Sequence, residues 1–363
     1  MRKTIVAMMA LLVGFTSATA QETQKFTAAK HNEYGLVYSL PVTHFDIEVT
    51  AEKIVSKAGP YYKYAKKYLS IDNPITADAQ RLRLKDVVIT PYGVADENNK
   101  YLVQFKKGSS PFMMLSSSGL PLAINREVST DVASMTTDKK NPVQKAVSPT
   151  DAFASVLPGE LLVSESTAKR AEMAATMIYK IRESRTALIT GEAEQMPPDG
   201  EAMKLVMKQL DEQESALMAL FVGTQTTETI TKHIHFVPSE ELSRKVLFRV
   251  SDFNGIVGPD DLSGEPVYAT LKITQRGELP VNEKGETKKL PKGAVMYNIP
   301  GEAQVTLEYK NTKISSGLYQ VAQYGIQFGL DPDMFCDKKA PSYAIFYPET
   351  GAIKEIGLCS GGN

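Results

Sequence analysis

The chain has 363 residues, 41 Lys and Arg against 42 Asp and Glu, and a formal charge of -1. That balance excludes the basic excess of a nucleic-acid binder, and a hydrophobic content of 42% with a charged content of 23% is that of a globular protein. At roughly 100–200 residues per domain the length allows two or three domains.

Residues 1–20 read as a cleaved signal peptide. Arg2 and Lys3 form its positive end, Ile5 to Phe15 its apolar stretch, and Ala18-Thr19-Ala20 the small residues before a cut at Gln21. The h-region is short for a bilayer span, so an anchor is the weaker reading. Removing two cations takes the charge from -1 to -3, and the mature chain is expected in an oxidising compartment.

Residues 21–128 are expected to form a β-rich domain with one helix. Thr43, Phe45, Ile47 and Val49 alternate with His44, Asp46, Glu48 and Thr50, the period of a half-buried strand. Arg81 to Thr90 and Tyr101 to Phe105 are expected as two more strands joined at an Asp96–Asn99 hairpin tip. Ahead of these two strands Gly59-Pro60 opens a helix whose tyrosines, Tyr61, Tyr64 and Tyr68, form one stripe. A tyrosine stripe can stack on sugar rings or a partner surface. Packing of the helix onto the sheet is the stronger reading, and the absence of tryptophan weakens the sugar platform further.

Residues 129–159, with Pro142, Pro149 and Pro158, read as a linker or long loop. Residues 160–222 read as an antiparallel helical hairpin. Its expected seam sets Ala174, Ile178, Ile181 and Leu188 against Met203, Val206, Leu210 and Leu217, with one outer face resting on a β-domain or a partner. Met173, Met177, Met203 and Met207 are better read as core filler than as a Cu(I) cluster. Ser166-Thr-Ala-Lys169 lacks the accompanying motifs of the penicillin-recognising enzymes and reads as a polar helix start.

Residues 223–363 carry seven or eight short strands separated by turn signals and are expected to be sandwich-like. His233 and His235, two apart on a strand, share a face and are a candidate metal pair, although the neighbouring threonines describe a solvated surface. Asp252, Asn254, Asp260 and Asp261 offer hard oxygen ligands for calcium, but their spacing is not an EF-hand and tight turns explain them better. Cys336 and Cys359 flank a hairpin with a Pro348–Gly351 turn. A disulfide is expected there, stabilising by roughly 3 kcal/mol.

Together these readings give an α+β, mainly β protein: two β-rich domains around a helical hairpin. Five segments resemble an exported family of unknown function from the Bacteroidetes: residues 59–69, 180–192, 260–266, 297–301 and 322–325. The resemblance implies a Gram-negative envelope location, periplasm or outer envelope, and carries no activity. No cofactor, nucleic-acid partner or membrane span after cleavage is expected. The leading functional expectation is a non-enzymatic protein binding another envelope protein or a glycan. The alternative is an envelope hydrolase acting on glycan or peptide through two carboxylates brought together in space.

Overall fold

The computed structural model describes residues 24–25, 35–105, 111–129, 166–337 and 339–359. The expected signal peptide and nearly all of the expected linker lie outside them. The protein is mainly β with three α-helices among the described residues.

Phe45, Ile47, Val49 and Ala51 are almost fully buried along one long strand, β2 (Leu36–Lys57). It pairs antiparallel with β3 (Ala79–Val103) on one side. On its other side lies β6 (Thr224–Phe236), and β1 (Gln24–Lys25) touches only the far end of β3, giving the sheet order β1-β3-β2-β6. A second antiparallel sheet has the order β11-β10-β9-β7-β8. Its strands are β7 (Leu242–Ser251), β8 (Gly255–Val257), β9 (Glu265–Gln275), β10 (Val295–Tyr309) and β11 (Thr312–Leu330). These sheets face each other, and Phe45 and Ile47 share one core with Phe248, Val267, Val305 and Val321. The third sheet, β13-β12-β5-β4, joins β4 (Met113–Leu115) and β5 (Pro121–Ile124) to β12 (Ser342–Phe346) and β13 (Ile353–Leu358).

Residues 21–128 and 223–363 therefore do not pack as two separate β-rich bodies. β6 completes the first sheet, β5 pairs with β12, and apolar residues from both segments fill common cores. Each face needed an apolar partner, and the available one came from the other half of the chain.

The two strands expected around Asp96–Asn99 are one continuous strand. Ser39 pairs with Lys100 and Pro41 with Ala95, so residues 96–99 bulge out opposite Leu40 alone. Asp96 holds the bulge by accepting from the Asn98 N–H at 2.9 Å and the Asn99 side chain at 2.6 Å.

The C-terminal hairpin is present, with Gly351 in the left-handed region at φ 70° closing its turn. The expected Cys336–Cys359 disulfide is not: the two sulfurs are not bonded. The hairpin returns Cys359 beside Pro341, whose carbonyl accepts from the Cys359 N–H at 2.7 Å. Cys336 sits on the end of a 3-10 turn at Pro332–Phe335, with its N–H on the Asp333 carbonyl. The Cys359 thiol turns instead toward the Asn125 carbonyl, 3.7 Å away. A hairpin aligns only residues within its ladder, and Cys336 is outside it.

Candidate functional site

Three surface features gather chemistry or exposed apolar area. The first is the helical arm built by α2 (Thr167–Thr190) and α3 (Gly200–Val222). Gly191 ends α2 in the left-handed region, and the Asp199 carboxylate caps α3 by accepting from the Ala202 N–H at 2.7 Å. Ala171, Ala174, Ala175, Ile178 and Ile181 are buried against Leu217, Leu220 and Phe221. The expected seam is thus correct at its base. Leu188, Met203 and Val206 are only half-buried, because the arm's apolar cluster ends near Ile181 and Leu210.

The connection between β2 and β3 anchors that base. It contains α1 (Ala65–Leu69), and Tyr61 donates its N–H to the Leu220 carbonyl at 2.8 Å and packs its ring on Phe221. Tyr64 stacks on Tyr68, whose carbonyl accepts from the Tyr179 hydroxyl at 2.8 Å. The tyrosine stripe fastens the arm to the sheet; Tyr61 is buried and presents no binding surface.

At the edge of the apolar cluster, between Leu210 and Leu217 along α3, Glu214 pairs with Arg182 and Arg185, each at 2.7 Å. Burial pushes the Glu214 carboxyl up, but hydrogen bonds and charge from the two guanidinium groups outweigh it and hold it below its ordinary value. A carboxyl held lower in the folded chain stabilises above the unfolded value and loses that contribution as pH falls through the folded one. Acidification below the ordinary glutamate range should therefore lower the arm's melting temperature, followed by helical circular dichroism. Glu214→Gln should flatten that limb, and an unchanged acid slope in the variant would remove the pair from the account.

Past these pairs the arm carries apolar side chains into solvent, with Ile189 69% and Leu205 59% exposed.

The second feature surrounds the candidate metal pair. Strand register sets His235 opposite Asp46, His233 opposite Glu48 and His44 opposite Tyr92 on the outer face of the first sheet. Asp46 is buried beneath them. His233 Nδ1 donates to Asp46 Oδ2 at 2.8 Å, while His235 Nδ1 lies 3.6 Å from Oδ1 and 3.2 Å from the Tyr92 hydroxyl. Burial, then the charge of His235, lowers the His44 pKa; burial, then the charge of Asp46, raises that of Tyr92. His233 and His235 are thus brought together, but both Nδ1 atoms face one carboxylate. No three His, Cys, Asp or Glu side chains among the described residues are placed to hold a metal ion. The sequence reading missed Asp46 and Tyr92 because they lie on strands far away in the chain. The outward phase of His44 and Asp46 along β2 was the available signal.

The third feature is the end of the sandwich carrying the candidate calcium residues. The carboxylates of Asp252 and Asp261 serve the backbone. Asp252 Oδ1 accepts from the Leu82 N–H at 2.7 Å, and Asp261 Oδ1 from the Ser263 N–H at 2.9 Å. Asn254 donates to the Ser263 hydroxyl at 3.1 Å, tying the two turns together, and Asp260 is exposed. Arg249 braces the second turn through the carbonyls of Pro259 and Gly264. At the tips of these turns Phe253 is 79% and Leu262 80% exposed.

No helix among the described residues is long and apolar enough to cross a membrane. The sequence matches the family described as "Domain of unknown function (DUF4831)" over residues 34–354. No curated protein and no solved structure matches it.

Proposed function

Since the chain belongs to the DUF4831 family, a domain of unknown function, we propose from its own geometry that it is a non-enzymatic envelope protein that recognises another protein through the helical arm. One observation carries this reading: the arm is locked to the first sheet at its base yet exposes Ile189 and Leu205 beyond its own apolar cluster. A rigidly rooted helix pair presenting apolar side chains matches helix-in-groove recognition of a protein surface better than the polar stacking a glycan requires.

The test is photo-crosslinking in intact cells of the organism that makes the protein, with the probe residue placed on the arm. A discrete protein adduct is expected, and Ile189→Ser with Leu205→Ser should abolish it without shifting the melting temperature. An adduct that survives the double substitution would move recognition off the arm.

The envelope location rests on Arg2, Lys3 and the apolar stretch to Phe15. Fractionation with N-terminal sequencing should find a chain starting at Gln21 in the periplasm or outer envelope. An intact Met1 in the inner membrane would overturn the location.

A further inference from the structure

A knob and a socket lie side by side at one end of the sandwich. Phe253 and Leu262 project from turns that hydrogen bonds from Asn254, Ser263 and Arg249 hold in place. Beside them is a groove of about 690 Å3 between β3 and the β10–β11 turn. Ile54, Leu84, Tyr309 and Ile314 line it with apolar surface, and its charged lining is Arg81, Arg83, Lys85 and Lys310 with Asp86 and Asp252. Glu52 pairs with both Arg83 and Lys85, which leaves Arg81 and Lys310 beside the two aspartates as a rim of mixed sign. Asp252 belongs to both features: it lines the groove and immediately precedes Phe253.

Rigid turns cannot fold two such exposed side chains away from water, which favours a partner that covers them. A surface with a knob next to a socket is complementary to itself under a two-fold rotation, because each copy's knob meets the other's socket. The charges point the same way. A rim of one sign would repel its own copy, whereas a rim of mixed sign can bring Arg81 and Lys310 toward the other copy's carboxylates. Simple strand addition at β3 is disfavoured. The Leu82 N–H is held by Asp252 and the Val87 N–H by Asp86, at 2.7 and 2.9 Å, so a partner meets side chains rather than a bare strand edge.

We propose that this end of the sandwich is a two-fold interface between two copies of the chain, with Phe253 of each copy seated in the groove of the other. It goes beyond recognition through the arm and does not depend on it.

Sedimentation velocity of the mature chain over a range of concentrations tests this directly. A monomer–dimer equilibrium is expected, and Phe253→Ser should raise the dimer Kd at least about tenfold, the change expected when a buried aromatic anchor is truncated. The melting temperature of the diluted monomer should stay unchanged, since Phe253 is exposed there. Leu318→Ser, at a residue exposed on β11 well outside the groove's lining, should leave the dimer intact. A chain that stays monomeric throughout overturns the interface. So does a dimer unaffected by Phe253→Ser, or one equally weakened by Leu318→Ser.

Discussion

Ile178→Asp should unfold the helical arm several degrees below the rest of the molecule. Ile178 is fully buried between the two helices, and its neighbours Ala174, Ala175 and Phe221 offer no partner for a carboxylate. An unpaired charge in such a place costs about 3–5 kcal/mol. Arg182→Gln, one turn along, removes a half-exposed cation from the Glu214 pair without adding a charge and should cost about 1 kcal/mol. The arm's cluster is distinct from the two clusters that fill the β-sheets. Helical circular dichroism should therefore fall before the strand signal in Ile178→Asp, giving two transitions. Coincident transitions, or equal melting of the two variants, would show that the arm and sheets form one cooperative unit or that the face assignment is wrong.

The second large effect is expected from Thr43→Val, which changes almost no volume. Thr43 is fully buried, and its hydroxyl donates to the Glu349 carbonyl at 2.9 Å while accepting from the Ala322 N–H at 3.0 Å. Gln323 completes the junction by accepting from the Thr43 N–H and donating to its carbonyl. Beside it, buried Asn298 donates to the carbonyls of Pro41 and Thr350. This network pins the turn of the C-terminal hairpin to β2 and β11. Valine would leave an N–H and a carbonyl without their partner, at about 1–3 kcal/mol for each buried group. Denaturant unfolding should show a loss of about 2–4 kcal/mol with an unchanged m-value. A loss below 1 kcal/mol would mean that water replaces the hydroxyl and the junction is wet.

Local patterns in the sequence were legible where the deciding interaction is itself local. The alternation through Phe45, Ile47 and Val49, the alanine-rich base of α2, and the Pro348–Gly351 turn all appear where the residues placed them. Asp96–Asn99 failed because a polar tetrapeptide satisfies its own backbone equally well in a hairpin tip or in a bulge; the register of β2 decides between them. The division into two β-rich bodies failed because period-two alternation shows that a strand has an apolar face, not which sheet will cover it. Composition around His233 and His235 described a solvated face, correctly, but could not reveal Asp46 beneath it. Cys336 and Cys359 were close in the chain, and closeness carried no information about which way the thiols point.

The third sheet sets a clock on the chain. All four residues of β5 are buried, yet its ladder partner β12 lies at Ala344 and Ile345, opposite Ile124 and Ala123. A polypeptide emerging N-terminus first can pair β5 with β4 at once, but leaves its other edge without β12 until residues 344–345 have arrived. During that interval the segment 121–124 is the surface a holding chaperone would most need to cover.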